Sequence, residues 1–368
     1  MAGFIRRSWC EIDLSVIRNN YECYKNQLKS GSVMAVVKAD AYGHGAVKVA
    51  SVLADAGVKD FAVSNINEAI ELREAGIEGQ VLILGYTPLE AAPLLVQYDI
   101  TQALLSEQYT EDLIRSGIRV KCQYALDTGM NRIGLDADDA AHCADAVRRA
   151  NDNLDLNGLF THLCAADTPS QNAFTEMQIE KFKKVSEAVS DLKLPYVHCL
   201  NSAGGLWYQT EVSVFARLGI ILYGLKPDYM NVLPEGIKPA MEWKSVISMK
   251  KTVHPGETVG YGRTFCAGKE MTVATIPTGY ADGYNRLLSN KGYVLINGKK
   301  APVIGRICMD QFMADVTGID CSLYDEVVLL GRSGDEVLTA DDMAQMTGTI
   351  GYEVLCDIGK RVQRVYSD

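Results

Sequence analysis

Lys38 follows the run Ser32-Val33-Met34-Ala35-Val36-Val37 and opens Lys38-Ala39-Asp40-Ala41-Tyr42-Gly43-His44-Gly45. The run before it is small, apolar and β-branched, the composition of a buried strand. An ammonium at the end of such a strand loses hydration, which lowers its pKa and frees the amine to act as nucleophile or base. The glycines that follow let the backbone turn sharply and approach a ligand, and Tyr42 adds a hydroxyl. A lysine that simply reaches past a strand end into water fits the same segment, so the segment alone leaves both readings open.

Four more groups of polar residues follow or end apolar runs. They are Asp127-Thr128-Gly129-Met130-Asn131-Arg132, His162, Asn201-Ser202-Ala203-Gly204-Gly205, and Arg217-Leu218-Gly219-Ile220 with Tyr223-Gly224 just beyond. A lysine amine, a flat imidazole, an arginine and small-residue loops together suit a phosphorylated aromatic aldehyde. The amine can bond the aldehyde, and serine hydroxyls with backbone N–H groups at loop-to-helix turns receive phosphate. Pyridoxal phosphate meets that description, with Lys38 as its covalent anchor. Gly43-x-Gly45 also hints at a dinucleotide loop, but the third glycine position is Lys48 and no acid stands at the required distance.

These residues need a frame that places them at one rim. Strand-like runs at Val33–Val37, Phe61–Ser64, Val81–Leu84, Gln102–Leu105, Lys121–Leu126, Gly158–His162, Tyr196–Leu200 and Phe215–Ile220 alternate with helical spacing such as Phe174, Met177, Ile179, Phe182. A helix through Leu14, Ile17, Tyr21, Tyr24 and Leu28, capped by Asp13, precedes them. Eight repeats of strand and helix predict an α/β fold with an N-terminal (β/α)8, TIM-like barrel rather than an open sheet. In such a barrel the C-terminal strand ends form the active rim, which is where Lys38, Arg132, His162, Asn201, Ser202 and Arg217 fall.

Beyond about residue 240 the runs are short and β-branched: Ser245–Met249, Thr272–Ile276, Tyr293–Ile296 and Glu326–Leu330. Asn297-Gly298 predicts a type I′ hairpin, and Thr339 with Asp342 predicts a capping box on a helix over Leu338–Met346. The reading is a barrel over residues 1–237, whose first residues could pack on the second domain, and a mostly-β domain over 238–368, with the boundary between Pro234 and Pro239.

Composition limits the function. The 368 residues carry a net charge of −10, which argues against a nucleic-acid surface. No run has the length of a membrane span, and Met1–Arg7 lacks the apolar core of a signal peptide. The ten cysteines form no Cys-x-x-Cys pair and the five histidines show no ligand spacing, so buried thiols in a reducing cytoplasm and no protein-built metal site are expected.

The motifs closely resemble those of the alanine racemase family over nearly the whole chain. Beyond the Lys38, Asp127 and Arg217 motifs, the second half carries Gly260-Tyr261-Gly262, Gly279-Tyr280-Ala281-Asp282-Gly283, Gly305-Arg306-Ile307-Cys308-Met309-Asp310 and Gly351-Tyr352-Glu353. The resemblance implies that Lys38 carries pyridoxal phosphate. It implies that Tyr42, Ser202, Gly219, Ile220 and Tyr352 hold the phosphate, with Asn201 beside them, and that Arg217 faces the pyridine nitrogen. Arg132 would hold the cofactor phenolate oxygen and substrate charge, and His162 would pack near the ring. Tyr261 would be the second catalytic base, supplied by the partner subunit of a homodimer. Met309, Tyr280 and Asp310 would line the substrate mouth and carboxylate region. The implied activity is interconversion of L- and D-alanine by one base on each face of Cα, feeding D-alanine to the bacterial cell wall.

One departure stands out. Many family members carry a carbamylated lysine two residues before the Asp-Thr-Gly run, where this chain has Ala125. Arg132 would then rely on a bound anion such as chloride or on Asn131. A serine racemase domain cut from a membrane-attached protein is the alternative, with Tyr352 favouring the smaller substrate. A basic-amino-acid decarboxylase of the same architecture would need an acid where Arg217 stands, and a non-enzymatic pyridoxal-phosphate carrier would need no β-domain.

Overall fold

The computed structural model describes residues 5–28, 32–227 and 232–368. The start of the Met1–Arg7 segment therefore lies outside the described residues. The chain divides into two compact units that are not consecutive in sequence: one comprises Ile17–Ala41 and Gly45–Ile237, and the other comprises the residues up to Val16, Tyr42–His44 and Lys238–Asp368.

The first unit is a parallel barrel. Its strands are Ser32–Val36, Asp60–Val63, Gln80–Ile83, Thr101–Leu104, Lys121–Asp127, Asp155–Phe160, Tyr196–His198 and Phe215–Leu218, paired in that order, with Phe215–Leu218 returning beside Ser32–Val36. A parallel bridge between Leu200 and Ala216 joins the seventh strand to the eighth and nearly closes the ring. Each predicted strand lies within a few residues of an observed one. The apolar runs are buried on both faces, as parallel strands under helices require. Three strands stop two residues short of expectation: the sixth, the seventh, which ends at His198, and the eighth. The sixth strand stops at Phe160, so His162 stands beyond it, and the eighth stops at Leu218 because Gly219 turns the chain into the 3-10 turn Ile220–Tyr223.

The helix Leu14–Lys25 starts where expected, with the Asp13 carboxylate accepting from the Val16 N–H at 3.1 Å.

The second unit is built on an antiparallel sheet with one parallel edge, where Ser8–Asp13 pairs with Gln363–Ser367. The hairpin Tyr293–Ile296 to Lys299–Ile304 turns at Asn297 and Gly298, both with positive φ, as the dipeptide predicted. The helix Ala340–Thr347 has the Thr339–Asp342 capping box. The Ser245–Met249 run is not a strand. It spans the break between Met241–Val246 and Met249–Val253, where Ile247 N–H still donates to Asp325 O but Ser248 N–H donates to Thr275 O. The chain changes sheet partner at that point, which no local pattern encodes.

Among the described residues no cysteine is in a disulfide, yet Cys164, Cys266 and Cys356 are exposed, so the expectation of buried thiols fails for these. Among the described residues no helix is long and apolar enough to cross a membrane, and no group of three or more acidic, cysteine or histidine residues could hold a metal.

Candidate active site

Lys38 stands two residues past the first barrel strand, half-buried, at the start of a left-handed turn. Ala39, Asp40, Ala41 and Tyr42 all have φ between 52° and 54°. Each costs roughly 1–2 kcal/mol for an L-residue, so the turn persists only because its surroundings fix it. The Glu68 carboxylate accepts from Ala39 N–H at 2.8 Å, and the Asp40 carboxylate accepts from Ala46 N–H at 2.8 Å. The chain thus spends strain to set the residues that follow Lys38.

Arg217 is the centre of the barrel rim. It is 3% exposed, and all its acceptors are neutral. Its guanidinium donates to His198 Nδ1 at 2.7 Å, Thr161 O at 2.7 Å, His162 Nδ1 at 3.3 Å, and the carbonyls of His198 and Cys199. Burial pulls its pKa down to about 10, still protonated near neutrality. Because arginine can only donate, His198 Nδ1 must accept. Its proton therefore sits on Nε2, which donates to Gln123 Oε1 at 2.8 Å. His198 is fully buried and stacked on Phe160 at 5.5 Å, and burial followed by Arg217 holds its pKa well below the ordinary value. A neutral imidazole with a fixed tautomer thus aims the Arg217 guanidinium. Sequence reading placed Arg217 but not His198 or Gln123. The signal was a histidine inside the seventh strand, two residues before its predicted end.

His162 is pushed down to about 3, by burial first, then by Arg217, Arg132 and Lys38. Three cations thus converge on one imidazole. Arg132 is exposed and makes no hydrogen bond or ion pair among the described residues. Asn131 does not hold it: the Asn131 side chain turns to Gly129 O at 3.4 Å. The loop itself is held by the Asp127 carboxylate, which accepts from Gly129 and Asn131 N–H groups at 2.9 and 3.1 Å. Ala125 is 1% exposed and packs with Ala103 and Phe160 beneath Leu84, Leu105 and Ile133. The surroundings of Ala125 are apolar, and alanine can carry no carbamate.

Asn201 caps the short helix Ser202–Trp207, its Oδ1 accepting from Gly204 N–H at 2.8 Å. Ser202 Oγ accepts from Gly219 N–H at 2.8 Å, which ties this turn to the one leading into Ile220. Tyr24 braces the turn from below by donating to Ser202 O at 2.9 Å. Only glycine fits at 205, since a Cβ there would lie 2.0 Å from the Tyr24 hydroxyl.

The remaining residues lie in the other unit. Tyr42 is buried and its ring meets that of Tyr352 at 6.1 Å, and burial raises the Tyr42 pKa. Tyr352 sits on the helix Gly351–Cys356. Tyr261 is 70% exposed in the 3-10 turn Tyr261–Arg263. Tyr280 lies in the turn Tyr280–Asp282 and is joined to the Met309 loop by Tyr280 N–H to Cys308 O at 3.1 Å and Ala281 N–H to Met309 O at 3.0 Å. Tyr280 and Met309 are exposed, and Asp310 accepts from Arg361 at 2.7 Å. Tyr261, Tyr280 and Tyr352 thus lie on turns and a short helix, not on strands.

A near-closed parallel barrel with an amine and two guanidinium groups at its strand ends, plus a mostly-β second unit, defines a two-domain barrel enzyme with an anion-accepting rim. Known proteins narrow that class. Residues 12–227 match the alanine racemase N-terminal domain and residues 240–366 the alanine racemase C-terminal domain. Alanine racemase 1 of Clostridium acetobutylicum is 42% identical over 375 residues, covering 100% of this chain and 97% of the relative. Alanine racemase of Desulfovibrio desulfuricans is 43% identical over 374 residues, covering 100% of both. The crystal structure of the Bacillus anthracis enzyme with bound L-Ala-P superposes with a TM-score of 0.92 at 32% identity, covering 100% of this chain and 96% of that one. The Bartonella henselae enzyme with covalently bound pyridoxal phosphate gives 0.88 at 29% identity, covering 99% and 100%. The chain belongs to the alanine racemase family.

Proposed function

We propose that this protein is a pyridoxal-phosphate-dependent isomerase that interconverts L- and D-alanine. The observation that carries the reading is the concentration of Lys38, Arg132 and Arg217 around His162, with only neutral acceptors on Arg217. Such a concentration of positive charge suits an anionic cofactor. The relatives are alanine racemases, and nothing in them favours the serine alternative.

Residues 1–237 hold the cofactor in this reading and residues 238–368 supply the second base. Lys38 anchors pyridoxal phosphate, which when bound withdraws electrons from an attached amino acid and acidifies its α-C–H. Tyr42, Ser202, Gly219, Ile220 and Tyr352 receive the phosphate, with Asn201 beside them. Arg217, locked as a cation by its neutral partners, presents an N–H to the pyridine nitrogen and leaves that nitrogen unprotonated. Arg132 holds the phenolate oxygen and the substrate's negative charge, and His162 packs against the ring as a neutral imidazole. Tyr280, Met309 and Asp310 shape the substrate mouth and carboxylate pocket.

Inversion at Cα needs a proton removed from one face and delivered to the other. Lys38 Nζ serves one face and the Tyr261 hydroxyl the other, so the substrate need not turn over. Tyr261 comes from a partner subunit, which makes the working unit a cytoplasmic homodimer with composite sites. D-alanine for peptidoglycan is the product it supplies. The test is chirality: the purified holoenzyme should bring either L- or D-alanine to an equal mixture and act far more slowly on L-serine. Inactivity on both alanine enantiomers with cofactor bound would refute the reading.

A further inference from the structure

Asp282 is a fully buried carboxylate in the turn that carries Tyr280. Arg7 grips it with two bonds of 2.6 and 3.1 Å, and Gly279 N–H donates to it at 3.0 Å. The Arg361 Nε lies 3.4 Å from the same carboxylate, while the Arg361 Nη2 donates to Asp310 at 2.7 Å. Arg361 therefore spans two carboxylates: one fixed beneath the Tyr280 turn and one on the Met309–Asp310 loop.

Backbone contacts also join the two segments. Tyr280 and Ala281 N–H groups donate to Cys308 and Met309 carbonyls, and a Cβ at Gly279 would lie 2.3 Å from Met309 O. Those contacts fix the main chain but not the Asp310 side chain, which is 59% exposed. Without Arg361, the Asp310 carboxylate would sample several rotamers.

We propose that Arg361 is a positioning residue for substrate recognition: braced on the buried Asp282, it fixes the Asp310 carboxylate beside Tyr280 and Met309. This rests on the reading of Asp310, Tyr280 and Met309 as residues on the substrate side. Arg361 touches no reacting atom in this assignment. It acts on substrate capture, so KM responds more than kcat. The Asp282 brace also gives the bridge a direction: Arg7 and Gly279 satisfy Asp282 independently, which leaves one end of the Arg361 guanidinium for Asp310.

The test uses the holoenzyme with Arg361→Gln, Arg361→Lys, Asp310→Asn and the Arg361→Gln/Asp310→Asn double variant. KM and kcat are measured for L- and D-alanine, with cofactor absorbance and Tm recorded for each. Arg361→Gln should raise KM about three- to fivefold, the loss of one half-exposed ion pair, with kcat within twofold and absorbance unchanged. Asp310→Asn should do the same, the double variant should be no worse than the worse single, and Arg361→Lys should recover most of the loss. If Asp310→Asn raises KM but Arg361→Gln only lowers Tm, the positioning role is wrong and the substrate-side reading stands. Multiplying effects in the double variant would also overturn the role. If neither single variant moves KM, the substrate-side reading of Asp310 falls, and the proposal with it.

Discussion

Acidification should weaken the barrel through two imidazoles that the fold holds neutral. His162 and His198 both have an ordinary pKa of 6.5 when unfolded, and in the fold His162 is held at about 3 and His198 well below 6.5. Below pH 6.5 the unfolded chain takes up protons that the folded chain refuses, so stability falls as pH falls and levels off above about pH 7. At pH 5.0 His162, held at about 3 in the fold, lies 1.5 pH units below its unfolded pKa, which costs about 2 kcal/mol at about 1.4 kcal/mol per unit. His198 adds to the loss in the same direction. Asp60 opposes this, because burial raises its carboxyl to about 6 and it gains as pH drops, so the informative quantity is a difference between variants. His198→Asn places Oδ1 where Nδ1 accepts from Arg217, and it does not titrate. It should be less stable at pH 7.5 by about 0.5–1.5 kcal/mol for the lost stack on Phe160. Its fall between pH 7.5 and 5.0 should nevertheless be smaller than the parent's. Urea unfolding at the two pH values measures this, and nitrogen-15 NMR of labelled histidine reports the tautomer. An equal pH dependence in parent and variant, or a proton on Nδ1 of His198, would refute the reasoning.

Three other perturbations have defined outcomes. Ala39→Gly relieves an exposed left-handed residue and should leave Tm unchanged or raise stability by up to about 1 kcal/mol, whereas Ala39→Val should lower it. Gly205→Ala forces a methyl onto the Tyr24 hydroxyl and should cost about 1–3 kcal/mol, seen as a lower Tm and, because Tyr24 braces Ser202, weaker cofactor retention in equilibrium dialysis. Mixing inactive Lys38→Ala chains with inactive Tyr261→Phe chains should restore part of the activity once heterodimers form, and no recovery despite heterodimer formation would remove the shared-site assembly.

The barrel was legible because each parallel strand is buried on both faces and so stands out as a continuous apolar run between helical segments. Lys38, Arg132 and Arg217 were legible because charge at the end of such a run is conspicuous. His198 and Gln123 were not, because a polar residue inside a strand looks the same whether it orients an arginine or fills a gap. The settings of Tyr261, Tyr280 and Tyr352 were also hidden. They lie on turns and one short helix, held by contacts such as Tyr280 N–H to Cys308 O that join distant segments. Arg361 carried no local signal at all, since its partners Asp282 and Asp310 are both far away in sequence.

The central claim is that Lys38 and Tyr261 serve opposite faces of Cα. Exchange of the α-hydrogen of L- and D-alanine in heavy water, catalysed by the Tyr261→Phe holoenzyme, tests it most directly. The account predicts that racemisation drops by about 10²-fold or more. One enantiomer should still exchange its α-hydrogen with retention, through Lys38 alone, while the other stays protiated. Racemisation at near the parent rate, or equal exchange from both enantiomers, would contradict it.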